Sequence, residues 1–512
     1  MAQTRTIQVV RQEPYSDAQD VEEVSPSLES KVVEVAHSRT KGEHAKTAGI
    51  LDLLLKFLES TGNALLIRGH PGAGKTTLAF ELLRNIEGAR IGEHEIPPSR
   101  LYVSSRVSPT RLRKHFPWIN EVVDSMSGRA AKGSWPQGID YFRVSEADNI
   151  LNKVLALKHS RQRGLIVIDS WEGALRNTSE EGRRMLESAI LSEPDESKVS
   201  VVLVSESERS EEIAHLVDGV VTLSSSKENG REMRTLVVDK LRGLRVQSPL
   251  AIFSLEGGRF TPLPRTRFHN GDIASRKIPV PIEHSESHYS TGSLDLDRML
   301  EGGVKKGSFI LLDINETVSH EAVTLFLNMT RANFVNQGGY CFILPQSNVS
   351  SENIAASLRP YVGNEALEKR VRITEYNRDL PAAKWRLPLE GDRTKDFSAF
   401  YNCWNDLGRK SSARMMTIDF DQVVQVYGEG PTLPAATQIG AGIRDARALI
   451  IGLASGPSKI REEFLRTADY NLKLEMIHGS LVIYGIRPFT NFHGCQFAFD
   501  KGYPSLALTE MV

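Results

Sequence analysis

Eight residues constrain this chain more than any others. Gly69-His70-Pro71-Gly72-Ala73-Gly74-Lys75-Thr76 complete the spacing G-x-x-x-x-G-K-[ST]. They stand between the apolar run Ala64-Leu65-Leu66-Ile67 and the helix-like Thr77-Leu78-Ala79-Phe80-Glu81-Leu82-Leu83, so the loop joins a strand to the start of a helix. Glycines there let backbone N–H groups close around a triphosphate, and the helix N-terminus adds a favourable dipole. The spacing assigns Gly69, Gly72, Gly74, Lys75, Thr76 and Thr77 to ATP binding, with Lys75 reaching the β and γ phosphates and the Thr76 hydroxyl on Mg2+. A glycine-rich turn without that role has no use for a Lys-Thr pair at its end. Such a site also needs an acid at the end of a buried strand, and Leu165-Ile166-Val167-Ile168-Asp169 supplies one. Asp169 is the second metal-site candidate.

Short apolar runs and helix-like segments alternate after the first strand: Leu101 to Val103, Leu165 to Ile168, Val199 to Val204 and Val220 to Leu223. That alternation predicts an α/β fold with a mostly parallel sheet covered on both faces. Between Pro262 and Ser290 the text turns to Pro, His, Ser and Arg, a linker composition. Beyond it the first half returns in altered form. Ser290 to Asp295 matches Thr47 to Asp52, Gly307 to Leu312 matches Gly62 to Ile67, Met416 to Asp419 matches Ile166 to Asp169, and Leu481 to Ile483 matches Leu236 to Val238. The four matches keep one order at offsets of 243 to 250 residues, which predicts a duplicated domain. The expected organisation is a flexible tail at 1–46, a P-loop domain at 47–262, a linker at 263–289 and a degenerate second domain at 290–512. In the second cradle Ile314, Thr317 and Ser319 replace the three glycines, and His320 and Glu321 stand in the places of Lys75 and Thr76. That loop would repel a triphosphate, so the second half is expected to be a structural or partner-binding domain without nucleotide.

Lys+Arg 63 against Asp+Glu 64 leaves a net charge of -1, so no overall field draws the chain to nucleic acid or an anionic membrane. No apolar run nears the roughly 18 residues of a membrane span, and the polar opening residues do not form a secretory signal. Cys341, Cys403 and Cys495 lie far apart and in no C-x-x-C spacing, which fits core thiols in a reducing compartment. A cytoplasmic protein is expected. Arg111 to His115 and Lys158 to Arg163 are basic, yet no aromatic residues interleave them, so they read as solvated helix faces and nucleic acid is not the favoured partner. Trp118, Trp135 and Trp171 read as core or interface residues rather than a base-stacking platform.

Around the cradle, Tyr102-Val103-Ser104, Ile168-Asp169-Ser170, Val204-Ser205-Glu206, Asp218-Gly219-Val220-Val221 and Asp239-Lys240-Leu241-Arg242-Gly243 resemble the RecA-like ATPases of the circadian-clock KaiC type. Leu101 to Val107, Ile168 to Glu172 and Ser290 to Gly303 are most similar to the gas-vesicle protein D branch, an archaeal group with two such domains. The resemblance spans about residues 47–512 and thins in the second half. It implies tandem RecA/KaiC-like domains, ATP and Mg2+ as cofactors, and a regulator whose nucleotide state controls a protein partner, in that family a transcriptional activator. It also implies a role for Lys240 and Arg242. In those ATPases a Lys-x-Arg after this strand reaches across a subunit interface to a neighbour's γ phosphate, which would make a homo-oligomer through the first domain; spacing alone favours the plainer reading of two solvated charges on a hairpin.

Two departures accompany the resemblance. The family's general base is one of two glutamates placed one residue after the strand Tyr102-Val103-Ser104 extends, and Arg106 and Val107 occupy those places here. Glu172, three residues past Asp169, is a candidate to orient water, against the plainer reading of a surface residue capping the next helix. The other departure is the second cradle, where Asp419 keeps the strand-end acid without evident work and Gly485 and Arg487 replace the Lys-x-Arg pair. The chain is thus expected to bind Mg-ATP and to be at most a weak ATPase. Two rivals stand beside that reading: a DNA-repair recombinase-like ATPase and a multi-turnover ATPase motor.

Overall fold

The computed structural model describes residues 49–512 apart from 61, 87–88, 92–93, 97, 105–106, 117–139, 144–151, 153, 158–162, 177, 192–197, 207–209, 267–275, 347–348, 378 and 412. The expected tail lies outside the described residues, as do Arg106, Trp118, Trp135 and Lys158 to Gln162. The amphipathic run after Gly49 forms helix α1 (Ile50–Glu59), which buries Leu54, Phe57 and Leu58.

The first half is built on strands β1 (Ala64–Gly69), β2 (Ser99–Ser104), β3 (Asp140–Arg143), β4 (Gly164–Asp169), β5 (Val199–Ser205), β6 (Gly219–Glu228), β7 (Arg231–Leu241), β8 (Leu250–Ser254) and β9 (Thr261–Pro262). Their order in the sheet is β9-β8-β7-β6-β1-β5-β4-β2-β3. The stretch from β6 to β3 is parallel throughout. Its central strands are covered on both faces, so Leu65 to Ile67, Leu165 to Ile168 and Val201 to Val204 are all buried, as continuous apolar runs require. β6 and β7 then turn back on each other through Asn229-Gly230, whose φ angles of 51° and 78° suit a two-residue hairpin. This makes an antiparallel wing.

The second half repeats the plan with β10 (Phe309–Ile314), β11 (Tyr340–Leu344), β12 (Val371–Glu375), β13 (Arg386–Pro388), β14 (Arg414–Asp419), β15 (Leu449–Ala454), β16 (Tyr470–Ile477), β17 (Ser480–Arg487), β18 (His493–Ala498) and β19 (Ser505–Glu510). The order β13-β12-β11-β14-β15-β10-β16-β17-β18-β19 is that of the first sheet with one more parallel strand at the far edge. Helix α2 (Lys75–Asn85) follows β1 after residues 70–74, and helix α3 (His320–Asn336) follows β10 after residues 315–319, a loop of the same length. An ion pair at the strand end is repeated with its charges exchanged: Arg68 on β1 meets the exposed Glu211 at 2.9 Å, whereas the buried Asp313 on β10 meets Arg461 at 2.8 and 2.7 Å. The α/β fold with two largely parallel sheets therefore stands as the sequence predicts. Cys341 and Cys495 are buried free thiols and Cys403 is half-buried; burial pushes the Cys341 thiol up to about 12.

The antiparallel wings hold the halves together. Met233, Ile252 and Leu263 from the first pack with Val482, Tyr484, Phe492 and Met511 from the second. Arg231, at the start of β7, is 4% exposed and crosses the seam: its guanidinium lies 4.1 Å from the Phe489 ring and 4.6 Å from that of Tyr484, and donates to the Gly485 and Thr490 carbonyls at 2.6 Å each. Gly485 is where a second Lys-x-Arg pair would begin, and its carbonyl is occupied by the first half's arginine. The described parts of the Pro-rich segment are seated on the second half, with Thr266 N–H donating to Gly479 O at 2.9 Å and Lys277 N–H to Gly502 O at 2.8 Å. Among the described residues no helix is long and apolar enough to cross a membrane. Because Arg231→Ala strands two seam carbonyls and removes the aromatic stacking, it should lower stability by about 2–4 kcal/mol. Urea denaturation followed by far-UV circular dichroism reads this, and an unchanged midpoint would mean the seam does not depend on Arg231.

Candidate nucleotide site

The cradle forms at the carboxyl edge of the first sheet, where β1 gives way to α2. Gly69 has to be glycine: a Cβ there would lie 2.1 Å from the Leu223 carbonyl oxygen of β6. Gly74, the residue before α2, has φ 95°, a left-handed conformation that glycine adopts without strain. Lys75 opens the helix with its side chain buried, and its ammonium donates to the Gly69 and His70 carbonyls at 2.7 and 2.8 Å. The charge is thereby held inside the loop. Thr77 is buried one helix position beyond Thr76.

The metal-site candidates come together. Thr76 Oγ1 donates to Asp169 Oδ2 at 2.7 Å, and Tyr102 Oη donates to the same oxygen at 2.8 Å. Burial pushes the Asp169 carboxyl above the ordinary carboxylate range, against the pull of the two hydroxyl hydrogen bonds, while the Glu206 carboxylate pushes it the same way as burial. A hydroxyl and a carboxylate at the inner end of an anion cradle are hard oxygen ligands of the kind Mg2+ takes, and the metal's charge would relieve the strain of ionising Asp169 there. When bound, such an ion would neutralise charge on the phosphates; the chain's part is to hold its two oxygens and keep Lys75 beside the loop.

Glu172 lies in the short helix Trp171–Leu175, whose N-cap is Ser170 rather than Glu172. Its carboxylate instead accepts from the Ser205 hydroxyl and, at 3.5 Å, from the Glu206 N–H. This places Glu172 and Glu206 at the same sheet edge as Asp169, since β4 and β5 run in register with Asp169 opposite Val204. Glu206 is the residue that sequence reasoning quotes without giving it a role; the signal was available in the parallel pairing of two strands that both end in acids. Trp171 is buried core. The Arg106 position lies outside the described residues.

Lys240 and Arg242 are not brought to this cradle. Val220 pairs Lys240 in the β6–β7 ladder and lies opposite Leu66, so Lys240 stands two strands from β1, level with the half of that strand further from the loop. Lys240 donates to the Ala214 and Val217 carbonyls at 3.1 and 2.6 Å, and Arg242, 59% exposed, reaches Asp218 at 3.3 Å. Arg111, Lys114 and His115 are exposed on their helix, as a solvated face.

In the second half the loop is a plain helix entry. Ser319 has φ -71° and caps α3 by accepting from the Ala322 N–H at 3.3 Å. Asp419 has structural work that the sequence does not reveal: it caps the helix Phe420–Tyr427, accepting from the Gln422 N–H at 3.0 Å. Burial pushes its carboxyl up to about 6. A folded pKa above the unfolded one adds stability that is full below about pH 4 and lost as pH rises through 6. Asp419→Asn keeps the cap and does not titrate, so it should match wild type near pH 4 and exceed it by on the order of 1–3 kcal/mol at pH 7. Chemical denaturation at the two pH values checks this; a gain independent of pH would reject the assignment.

Two comparisons bear on the whole. Residues 54–239 match the model of the family described as GvpD gas vesicle protein, P-loop domain, a span from α1 through β7 that contains the cradle, Tyr102, Asp169 and Glu172. Protein GvpD1 of Halobacterium salinarum is 23% identical over 521 residues, covering 89% of this chain and 95% of its own, and Protein GvpD2 of the same organism is 24% identical over 489 residues with the same coverage. The likeness thus runs through both sheets, with the cradle inside the matched domain, and the chain is similar to the GvpD proteins over most of its length.

Proposed function

We propose that the first half binds Mg-ATP and that its nucleotide state governs the grip of the whole chain on a protein partner, in the gas-vesicle setting that the family's name denotes. The observation that carries this reading is the 2.7 Å contact of Thr76 with Asp169 beside a cradle whose lysine is already inside the loop. The second half, with Ser319 and His320 in the cradle's place, acts as a nucleotide-free platform. We take the domain limits as 47–262 and 290–512, in a RecA/KaiC-like tandem, and the setting as an archaeal cytoplasm. Lys240 and Arg242, far from their own cradle, serve a neighbouring protomer's phosphates, so the first domains associate head to tail. The regulated partner is a transcription factor or assembly protein, and capture of partners from cell extract in ATP and in ADP would identify it.

Lys75→Ala should abolish Mg-ATP binding while leaving the fold intact, because it removes the phosphate's charge partner and little core packing. Isothermal calorimetry on wild type and variant decides this, and equal affinities would sink the cradle assignment.

Hydrolysis is slow in this reading, because Arg106 stands where a glutamate base would be. A second reading, turnover driven by Glu172, draws support from the position of Glu172 and Glu206 beside Asp169. Phosphate release separates the two. Slow turnover that Arg106→Glu accelerates, within the roughly 10²- to 10⁴-fold a positioned base contributes, supports the first; brisk wild-type turnover lost in Glu172→Gln supports the second.

A further inference from the structure

We infer that Arg234 couples the phosphate cradle to the last residues of the chain, so that a bound nucleoside triphosphate tightens the docking of the second half on the first. The inference rests on the Mg-ATP reading and adds a residue and a linkage to it. Arg234 lies on β7, in the antiparallel wing, with its side chain 14% exposed. Its guanidinium has three partners at once. Nη1 donates to the carbonyl of Gly72, the middle glycine of the cradle, at 2.9 Å; Nε donates to the Val512 backbone oxygen at 2.6 Å; and Nη2 pairs with Glu232 at 3.0 Å.

A second bridge runs beside the first. Ser254, at the end of β8, donates its hydroxyl to the Glu510 carbonyl, while the next residue, Leu255, packs so closely on Gly74 that an added Cβ would meet its methyls at 3.0 Å. Between Glu510 and Val512, Met511 is fully buried in the seam and its N–H donates to Phe492 O at 2.8 Å. The cradle is therefore touched at Gly72 and Gly74 by the same two short stretches that hold residues 510 to 512 of the second half.

The chemistry gives the linkage a sign. A guanidinium stays charged at any pH a protein survives, and its donors lie in one rigid plane. A triphosphate in the cradle brings several negative charges next to Gly72, attracts Arg234 and holds its plane where it is. Nε, fixed in that plane, then offers Val512 a better-ordered donor. Linkage makes the effect reciprocal: a securely docked chain end must favour triphosphate binding by the same factor.

The test uses the full chain and Mg-ATP. Hydrogen exchange of the 505–512 segment is followed by mass spectrometry with and without nucleotide, alongside calorimetry, in wild type, Arg234→Lys, Arg234→Ala and Met511→Ala. Wild type should bind Mg-ATP and slow exchange in this segment by about fivefold or more. Arg234→Lys keeps the charge but not the fork, so it should fold, bind more weakly and lose most of the slowing; Met511→Ala should weaken Mg-ATP binding in turn. A wild type that binds Mg-ATP with exchange at 505–512 unchanged or faster overturns the coupling, as does an Arg234→Ala chain that keeps the full response. A wild type with no calorimetric binding overturns the Mg-ATP reading itself and the coupling with it.

Discussion

Everything in the first half depends on β1 being buried on both faces. A loop of inward-facing N–H groups can be held open only if the strand before it cannot move, and β1 is pinned by parallel ladders to β5 on one side and β6 on the other. The same pinning brings the Leu223 carbonyl so close to Gly69 that no side chain fits there. From that fixed point α2 must leave the sheet at one angle, which sets Thr76 against the end of β4. The 2.7 Å contact between Thr76 and Asp169 is thus a consequence of strand order, since β5 alone separates β1 from β4.

The two halves show how little sequence separates a cradle from an ordinary helix start. Both have a buried central strand, a five-residue loop and a long helix. In the first, Gly74 takes a left-handed φ and offers no side-chain cap; in the second, Ser319 takes an extended conformation and satisfies an N–H itself. Asp419 has likewise exchanged an open strand-end carboxylate for a cap. The duplicated topology survives these changes because it is specified by apolar runs and loop lengths, which the loop residues do not affect.

Much of this was legible in the chain text. The apolar runs give the parallel strands, the G-x-x-x-x-G-K-[ST] spacing gives the cradle, and Asp169 follows from its place at the end of Leu165 to Ile168, because those signals are local. The four matches at offsets of 243 to 250 give the second sheet. What stayed hidden depends on residues far apart in sequence. Glu206 matters because β5 happens to lie beside β4, Arg231 because Phe489 and Tyr484 arrive from the other half, and Asp419 because its helix begins at once. The Pro-rich segment reads as a free connector by composition, yet Thr266 and Lys277 pair with backbone of the second half, a choice no local pattern records.

The exchanged ion pairs carry a consequence for how such a chain assembles. Two sheets of the same order in one polypeptide can trade elements while folding, since each central strand offers the other's helices a familiar groove. A helix bearing Arg461 that strayed onto β1 would meet Arg68, and a helix bearing Glu211 that strayed onto β10 would meet Asp313. Each wrong pairing would set like charges together; Asp313 is only 5% exposed, so water would relieve little of the repulsion there, whereas Arg68, 23% exposed, keeps more of its water. The reversal of sign at one position would thus count against the wrong helix chiefly at β10, where the acid is buried.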